Sequence, residues 1–545
     1  MATDLAEDRL EKLRLELIKE AADLCIPTEN TPLPPLRIIN HKIPIIDEFK
    51  VYSFRPFRCP EALKPQWRAK RDKYLQTGRW EYYVGNNAIP MLLINKNPGP
   101  NGELRLRTVF NERERNANTK KMTSPLPDQQ AILMNVCRHW YRTLINCRDA
   151  YESSQVEPAN VWKTLFNTPD RTMISNIMQI SDCNAPATYQ TLMNHLFSRY
   201  TGVFVYVYLD DIVIYSDSIK DHLKHCRIVN DILCREKLYL ATADKLQFFA
   251  SELKVLGHVV DDKGIVIDPY KVNKISRTNK PLLLQFIGAA GYLADNCPNL
   301  QLSSSLLSSF TGAPKVWRWG PTEQHTFENV KKTIHEYWNL HRVSINYNVD
   351  FKMSPVSLIV DACQTGGGGL ITQLQDNRLQ VIAFWSGKFN SAQQNYLVHE
   401  RELLAIVESM KQYRHLLLGI PFNIYMDHKP IEYLMSQKNL SARQQRWVDV
   451  LSLFSFEIKY ILGKTNDFAD ALSRIYRNEA LGIVWAESEY IHEKDVLDVP
   501  VSLKIISKLL LTGNETMGEI SLQLSVVTRE PKRFWGGDKE NGLLK

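Results

Sequence analysis

The chain has 545 residues, of which 44% are hydrophobic, 10% aromatic and 23% charged, so it can fill the cores of several domains. Its formal net charge of +7 is compatible with a polyanionic partner but does not require one. The nine Cys form no CxxC framework and no apolar run reaches transmembrane length, which excludes a disulfide scaffold and a membrane span and predicts an intracellular protein.

The first part of the chain predicts a helix, a linker and a pair of strands. Residues 4–24 form a charged amphipathic pattern that predicts a helix and not a signal peptide. The Pro-rich stretch PTENTPLPPL (27–36) predicts a linker. IPMLLINK (89–96), followed by NPGPNGELRLRTVF (97–110), predicts two strands joined by a Gly/Pro turn.

The next part predicts two helices and a hairpin. The helices are expected near residues 128–140 and 185–197. VFVYVYLDDIVIYS (203–216) predicts two apolar strands that meet at Asp210 and Asp211. Such a hairpin brings two carboxylates to one point, which suits divalent cations in phosphoryl transfer. The alternative is a solvated Asp-Asp turn, and the pair alone does not decide between them.

The remaining chain predicts a helical stretch and then an α/β unit. Residues 276–345 are mostly helical in pattern, with Thr322 as the expected N-cap of an amphipathic helix. The α/β unit begins near residue 355, with helices expected near 396–418, 441–454 and 466–474. Its strands are SLIVD, GLITQL, VIAFWS, FNIYMD and FEIKYIL. After residue 477 the pattern fades.

Four spaced carboxylates in the α/β unit predict a second metal site. They are Asp361, Glu402, Asp427 and Asp470, at two strand ends and on two helices. Each acid taken singly is better explained as surface charge, whereas the set in this order favours a two-metal hydrolase site. Glu400 competes with Glu402, because both lie on one helix about 200° apart and spacing does not decide between them.

Other polar clusters give weaker indications. His222, His225 and Cys226 are the nearest arrangement to a metal cluster, but they lie in a polar helical stretch, which favours a plain helix over a zinc site. WRAKRDK (67–73) and SARQQRW (441–447) could follow phosphates, although a solvated helix face is the better explanation of each taken singly.

Several of these motifs, in this order, resemble the polymerases of the Ty3/gypsy class of long-terminal-repeat retrotransposons, most closely fungal ones. YLDD resembles the catalytic signature of reverse transcriptases. The supporting segments are LRTVFNERERNANT (106–119), SDCNAPATYQTLMN (181–194), KLQFF (245–249) and LGHVV (256–260). DHK and ADALSR resemble the RNase H domain of the same elements. The match to that family's Glu-Leu-x-Ala-Ile pattern, in which the acid directly precedes Leu403, favours Glu402 over Glu400.

The resemblance implies an α+β and α/β multidomain fold: a right-hand polymerase with fingers, palm and thumb/connection, followed by an RNase H-like domain. The expected divisions are an N-terminal helix and linker (1–50), fingers and palm (51–275), thumb/connection (276–350), the RNase H-like domain (351–476) and a C-terminal tail (477–545).

The resemblance also assigns residues and partners. Lys96, Arg107 and Asp149 fall where the family contacts the incoming triphosphate. Tyr151 falls where an aromatic side chain blocks a ribose 2′-hydroxyl, with a plain core aromatic as the equal alternative. The implied cofactor is Mg²⁺ or Mn²⁺. The implied partners are an RNA template, a DNA primer, RNA–DNA hybrid and deoxynucleoside triphosphates, with no membrane involved.

The sequence departs from the family at its polymerase metal site. Asn146 stands where the family has an Asp that bridges both metals, so the shape is kept but the charge is lost. Asn111 and Ser181 replace the family's Asp and Gly in neighbouring motifs. We therefore predict an impaired polymerase beside an intact RNase H. The alternatives are a non-catalytic nucleic-acid-binding relic and an RNase H-only nuclease. The resemblance places the protein in the cytoplasm, the nucleus or virus-like particles.

Overall fold

The computed structural model describes most of the chain, in two compact units. The described residues are 2–52, 59–96, 105–241, 245–276, 283–298, 300, 304, 307–308, 319–376, 378–426 and 440–460. Unit 1 comprises Met1–Cys297 with Phe310–Asn346, and unit 2 comprises Pro298–Ser309 with Tyr347–Lys545. Among the described helices, none combines the length and apolarity that a membrane crossing requires.

Unit 1 is a mixed α and β structure. Its helices are α1 Ala2–Glu20, α2 Lys64–Gln76, α3 Arg113–Ala117, α4 Gln129–Cys137, α5 Ala185–Leu196, α6 Ile219–Arg235, α7 Pro269–Ser276, α8 Leu283–Tyr292 and α9 Pro321–Tyr337. Its strands are β1 Trp80–Tyr82, β2 Ile89–Lys96, β3 Arg105–Phe110, β4 Tyr141–Asn146, β5 Phe166–Asn167, β6 Thr172–Ser175, β7 Val205–Tyr208, β8 Asp211–Ser216, β9 Leu253–Val255, β10 His258–Val260 and β11 Ile265–Ile267. The helices predicted near 128–140 and 185–197 are confirmed as α4 and α5.

The strands of unit 1 form three sheets. The first has the order β1-β6-β5-β2-β3, and β2 and β3 make the antiparallel pair that the sequence predicted. The second has the order β4-β8-β7 and is antiparallel throughout, so the predicted hairpin is confirmed as β7 and β8. The third has the order β11-β10-β9. The second sheet carries Asp211 at the start of its central strand.

Helix α1 packs into the same core as the β4-β8-β7 sheet. Leu17, Ala21 and Leu24 are buried together with residues of α5, α6 and that sheet. Arg14 of α1 donates hydrogen bonds to the backbone carbonyls of Phe248 and Phe249. The helix that was predicted over residues 4–24 is therefore an integral part of this core, and it continues into a 3₁₀ turn at Ala22–Leu24.

Unit 2 is built around one five-stranded sheet. Its strands are β12 Val356–Ala362, β13 Gly366–Gln375, β14 Arg378–Lys388, β15 Pro421–Met426 and β16 Ser455–Tyr460. Its helices are α10 Ser391–Gln394, α11 Val398–Gln412, α12 Arg414–Leu417 and α13 Ala442–Leu451. The sheet order is β14-β13-β12-β15-β16, with β15 parallel to both β12 and β16. The five predicted strands are confirmed, and the helix expected near 466–474 lies outside the described residues.

Helix α11 lies against β12, β13 and β14 because glycine in β13 allows a close approach. A Cβ atom added at Gly367 would lie 2.7 Å from the Cβ atom of Ala405 in α11 and 3.0 Å from the Trp385 ring. The missing side chain at Gly367 therefore serves helix–sheet packing.

The predicted N-cap of α9 was wrong by two residues. Gly320 is the N-cap, and its backbone N–H donates to Glu323 Oε2 at 2.7 Å. Thr322 lies inside the first turn, where its carbonyl accepts from Thr326 Oγ1 at 2.9 Å. Glycine serves as an N-cap nearly as well as threonine, and Pro321 occupies the first helical position with its fixed φ.

Candidate active sites

Asp210 and Asp211 lie at the turn between β7 and β8. Leu209 has a φ of 53°, which turns the chain tightly before the pair. Asp210 is exposed, and its carbonyl accepts a hydrogen bond from the backbone N–H of Cys147 at 2.8 Å. Asp211 is partly buried at the start of β8. The turn therefore presents one carboxylate to solvent and holds the other at the sheet edge.

Asn146 is the direct cross-strand neighbour of Asp211. The last residue of β4 pairs with the first residue of β8. The side-chain amide of Asn146 donates a hydrogen bond to Asp211 Oδ1. An N–H group thus faces the carboxylate at the position where the resemblance implies a third metal-binding carboxylate.

The environment of Asp211 makes its carboxyl group harder to ionise than that of an ordinary aspartate. Burial first, and then the adjacent Asp210 carboxylate, raise the pKa of Asp211 to about 6, although the hydrogen bond from Asn146 acts in the opposite direction. A site built for divalent cations relies on ionised carboxylates. The neutral amide of Asn146 offsets only part of this rise, so the pKa of Asp211 stays above its ordinary value.

The residues at this turn do not fit the two-ion site of the family. Asp210 and Asp211 supply two carboxylates, but the third position directs an amide N–H at Asp211. An N–H donor repels a cation, and an amide oxygen, if turned inward, would bring no negative charge. The turn is therefore a carboxylate pair with a hydrogen-bonded amide.

Gln190 of α5 supports the turn and was not identified from the sequence. Its Oε1 accepts from the backbone N–H of Leu209 at 2.8 Å, and its Nε2 donates to the carbonyl of Val207 at 3.0 Å. Gln190 is fully buried. A polar residue in the middle of the ATYQTLMN pattern was a signal, because a buried glutamine needs partners for both ends of its amide.

Asp149 and Tyr151 follow β4, the strand that ends at Asn146. Asp149 has a φ of 41°, and its carboxylate accepts a hydrogen bond from Thr28 Oγ1 at 2.6 Å. Tyr151 packs against the core with its ring centre 6.0 Å from that of Tyr189. Burial, followed by the Asp210 charge, raises the pKa of Tyr151. Tyr151 thus joins the core and also lies within the electrostatic reach of Asp210.

The predicted triphosphate cations lie on the β2–β3 pair. Arg107 is exposed in β3, where its backbone pairs with that of Ile94. Lys96 ends β2, and its side chain lies outside what the structure describes. Nearby, Lys70 of α2 donates to Thr108 Oγ1 at 2.9 Å and lies 4.8 Å from the centre of the Tyr74 ring. Lys70 belongs to the WRAKRDK segment, but no single residue of that segment was selected from the sequence.

In unit 2, Asp361 and Glu402 are buried carboxylates on elements that pack together. Asp361 lies near the end of β12 with 6% of its surface exposed, and Glu402 lies on α11 with 4% exposed. Helix α11 packs against β12. Both acids offer the hard oxygen donors that divalent cations such as Mg²⁺ prefer, so they fit such a cation.

The other two predicted ligands, Asp427 and Asp470, lie outside the described residues. Asp427 follows Met426, the last residue of β15, in the sequence. Because β15 runs parallel to β12, the strand end before Asp427 and the strand end that bears Asp361 lie at the same edge of the sheet. Within the described ranges, no cluster of three or more His, Cys, Asp or Glu side chains is arranged to hold a metal ion.

Glu400, the competitor of Glu402, is bound to another helix. Nη2 of Arg443 in α13 lies 2.8 Å from Oε1 and 2.9 Å from Oε2 of Glu400. Arg443 belongs to the SARQQRW segment, for which a solvated helix face was favoured over phosphate contacts. In the structure, its guanidinium group pairs with an acid instead.

The two histidines of α6, His222 and His225, belong to a hydrogen-bonded network. Ser216 Oγ lies 2.9 Å from Nδ1 of His222 and 2.8 Å from Nδ1 of His225. Nε2 of His222 lies 2.8 Å from Thr143 Oγ1. Burial lowers the pKa of His222 to about 3. A neutral histidine bonded to two hydroxyl groups explains why these residues sit together.

Comparisons with protein families match two separate stretches of the chain. Residues 94–260 match the family described as reverse transcriptase (RNA-dependent DNA polymerase). Residues 352–454 match the RNase H-like domain found in reverse transcriptase. The Tf2-3 and Tf2-7 transposon polyproteins of Schizosaccharomyces pombe are each 27% identical over 470 residues, which is 84% of this chain and 34% of theirs. The chain spans about a third of the length of these curated relatives.

Solved structures agree with the fold. The foamy viral protease-reverse transcriptase in complex with dsDNA has a TM-score of 0.65 at 19% identity, covering 82% of this chain and 92% of that one. The same protein in complex with RNA/DNA hybrid has a TM-score of 0.61 at 18% identity, covering 88% and 66%. Together the comparisons confirm the predicted fold class and the predicted resemblance to retrotransposon polyproteins.

Proposed function

We propose that this chain, in which a reverse transcriptase domain precedes an RNase H-like domain, cleaves the RNA strand of RNA–DNA hybrids and extends primers weakly or not at all. The observation that carries the proposal is the contrast between two acid sets. Asp361 and Glu402 are buried carboxylates on packed elements, whereas Asp211 accepts a hydrogen bond from the Asn146 amide.

The nuclease half would act through its carboxylates. Mg²⁺ or Mn²⁺ would be held through the carboxylate oxygens of Asp361 and Glu402. The further ligands would be Asp427 and Asp470, which are predicted from the sequence. A bound divalent cation supplies an activated water and stabilises the leaving oxygen of the cleaved phosphodiester. The burial of Asp361 and Glu402 fixes both side chains before substrate arrives, so little reorganisation is needed when a cation binds.

The polymerase half would act mainly as a nucleic-acid-binding scaffold. Its fold neighbours were determined with dsDNA and with RNA/DNA hybrid, which supports a duplex as the partner. Recognition would depend on backbone shape and 2′-hydroxyl groups and not on base sequence. Exposed cations such as Arg107 would contact phosphates. RNA template, DNA primer and deoxynucleoside triphosphates are its proposed ligands, and the cytoplasm, nucleus or virus-like particles its proposed places of action.

The test is a paired assay on the full chain in Mg²⁺. One arm measures cleavage of RNA in a labelled RNA–DNA hybrid, and the other measures primer extension on an RNA template. We expect cleavage that is lost in Asp361→Asn, with extension near background. Robust extension by the unmodified chain would contradict the role assigned to Asn146. Absence of hybrid cleavage would contradict the nuclease assignment and favour the second candidate, a non-catalytic binding protein, which the Asn146 amide supports for unit 1.

A further inference from the structure

Helix α11 carries two buried carboxylates within its first two turns. Glu400 is 6% exposed and Glu402 is 4% exposed. Residues two apart on a helix point about 200° away from each other, so the two acids leave α11 on opposite sides. Each must therefore be compensated by a different neighbour.

Glu400 is compensated by α13. Arg443 Nη2 bridges both oxygens of Glu400 at 2.8 and 2.9 Å, and Gln444 Nε2 donates to Oε1 at 3.4 Å. A charge-assisted contact of this kind is stronger than a neutral hydrogen bond, and here the acceptor is buried. The interaction ties the first turn of α11 to the first turn of α13.

Arg443 is itself held in a fixed geometry. Its guanidinium carbon lies 3.8 Å from the centre of the Tyr396 ring and 5.7 Å from that of Trp447. Ser441 caps α13 through a reciprocal capping box with Gln444, which sets the direction of the helix start. Because the aromatic rings and the cap fix Arg443 in place, the position of Glu400 is fixed as well.

We propose that Arg443 is a positioning residue of the nuclease site: by holding Glu400 on the α13 side of α11, it reserves Glu402 as the carboxylate that α11 offers to a divalent cation. This inference rests on the proposed nuclease function. A buried carboxylate that loses its counter-charge must take up a proton, or else move to solvent or to another cation. For Glu400, either movement rotates or frays the first turn of α11 and displaces Glu402 two residues later.

The experiment titrates Mn²⁺ into the full-length protein and follows free Mn²⁺ by electron paramagnetic resonance, so it needs no catalysis. Asp361→Asn identifies the signal of the nuclease site. Arg443→Ala is expected to weaken that binding about 10- to 100-fold, the range typical of residues that orient metal ligands. Adding Glu400→Gln to Arg443→Ala is expected to recover most of the loss, because no buried charge then lacks a partner. Arg443→Lys is expected to lie between them.

The matched control is Arg446→Ala on the same helix. Arg446 donates to the carbonyl of Ala442 at 3.1 Å, so Mn²⁺ affinity should stay unchanged. If Arg443 only fastened α13 to α11, the double variant would bind as weakly as Arg443→Ala, and that result would overturn the proposal. Wild-type affinity in a folded Arg443→Ala protein would overturn it too. A wild-type chain that binds Mn²⁺ but cleaves no hybrid would overturn the proposed function, while the variant series would still test the positioning role.

Discussion

The side-chain amide of Asn146 donates a hydrogen bond to the carboxylate of Asp211, its cross-strand partner at the start of β8. The hydrogen bond stabilises the site without a cation, since it gives Asp211 a donor that a third carboxylate could not give. Asparagine differs from the aspartate of the family only in carrying an NH₂ group in place of one carboxylate oxygen. The same amide that makes this hydrogen bond leaves the turn with two carboxylates in place of three.

Asn146→Asp should lower the stability of the protein without metal and raise its affinity for Mg²⁺. The new carboxylate would face Asp211, and two unit charges about 4 Å apart near a protein surface repel by roughly 4 kcal/mol. We expect a lower melting temperature in EDTA, recovery in Mg²⁺, and increased primer extension. Thermal unfolding with and without Mg²⁺ measures the first two. Asn146→Ala is the control: it also loses the hydrogen bond but should show no Mg²⁺-dependent recovery. An Asn146→Asp protein indifferent to Mg²⁺ would contradict the assignment.

The pH dependence of stability should contain a contribution from Asp211. Its pKa of about 6 in the folded protein exceeds the ordinary Asp value of about 3.9, so the native state binds the extra proton between these values. The contribution is present below pH ~4 and is lost as the pH rises through 6, by an amount of the order of 3 kcal/mol. Urea unfolding at pH 4 and pH 7 should show Asp211→Asn gaining stability over wild type mainly at pH 7. Asp231→Asn, at an exposed position of α6, should show no such difference.

Cleavage of the RNA–DNA hybrid should depend on the carboxylates of Asp361 and Glu402. It should not depend on an acid farther along α11, the helix that carries Glu402. Asp361→Asn or Glu402→Gln should lower cleavage by more than the 10- to 100-fold typical of outer-shell partners, because each removes a direct ligand. Glu408→Gln is the matched control, since Glu408 pairs with Lys411 at 2.9 Å. Cleavage rates and hybrid affinity together separate loss of chemistry from loss of binding. Full activity in Glu402→Gln would contradict the assignment of Glu402 and favour Glu400 as the metal ligand.

Gln190→Leu should destabilise the turn that bears Asp210. The substitution leaves the N–H of Leu209 and the carbonyl of Val207 without their side-chain partner, at about 1–3 kcal/mol for each buried group. Thermal unfolding should show the loss. Thr191→Ala, at an exposed position on the same helix, should change stability by less than about 0.5 kcal/mol. Equal stability of the two variants would show that the hydrogen bonds of Gln190 do not stabilise the turn.

The elements of this fold could be predicted from sequence where the pattern is local. The hairpin at residues 203–216 and the five strands of unit 2 follow from β-rich runs between turn signals. Asn146 could be recognised as a changed ligand, because the motif around it keeps its register. The metal-site residues Asp427 and Asp470 remain predictions from the sequence.

The contacts that position these sites could not be predicted, because they join residues far apart in the chain. Gln190 and Leu209 are 19 residues apart, and Glu400 and Arg443 are 43 apart. No periodicity links such pairs. The resemblance favours Glu402 over Glu400 as the ligand, but nothing in the sequence predicts that Arg443 pairs with Glu400. The N-cap of α9 was missed for a different reason: Gly320 and Thr322 are both acceptable caps, and Pro321 decides between them.

Gly367→Ala should separate α11 from the sheet and impair the nuclease through Glu402. The added methyl would lie 2.7 Å from the Cβ atom of Ala405, and overpacking of this kind costs about 1–3 kcal/mol. Hybrid cleavage should fall together with the melting temperature, since Glu402 lies one turn before Ala405 on α11. Ala405→Gly in the same chain removes the opposing methyl and should restore part of both.

Gly288→Ala is the matched control for this effect, because a Cβ atom added at Gly288 in α8 meets nothing within 4 Å. It should leave cleavage unchanged and stabilise the helix by up to about 1 kcal/mol. If Gly367→Ala kept wild-type stability and cleavage, the helix would tolerate displacement, and close packing of α11 on β13 would not be what holds Glu402 in place. If stability fell while cleavage per folded molecule did not, the glycine would serve the core of unit 2 and not its metal site.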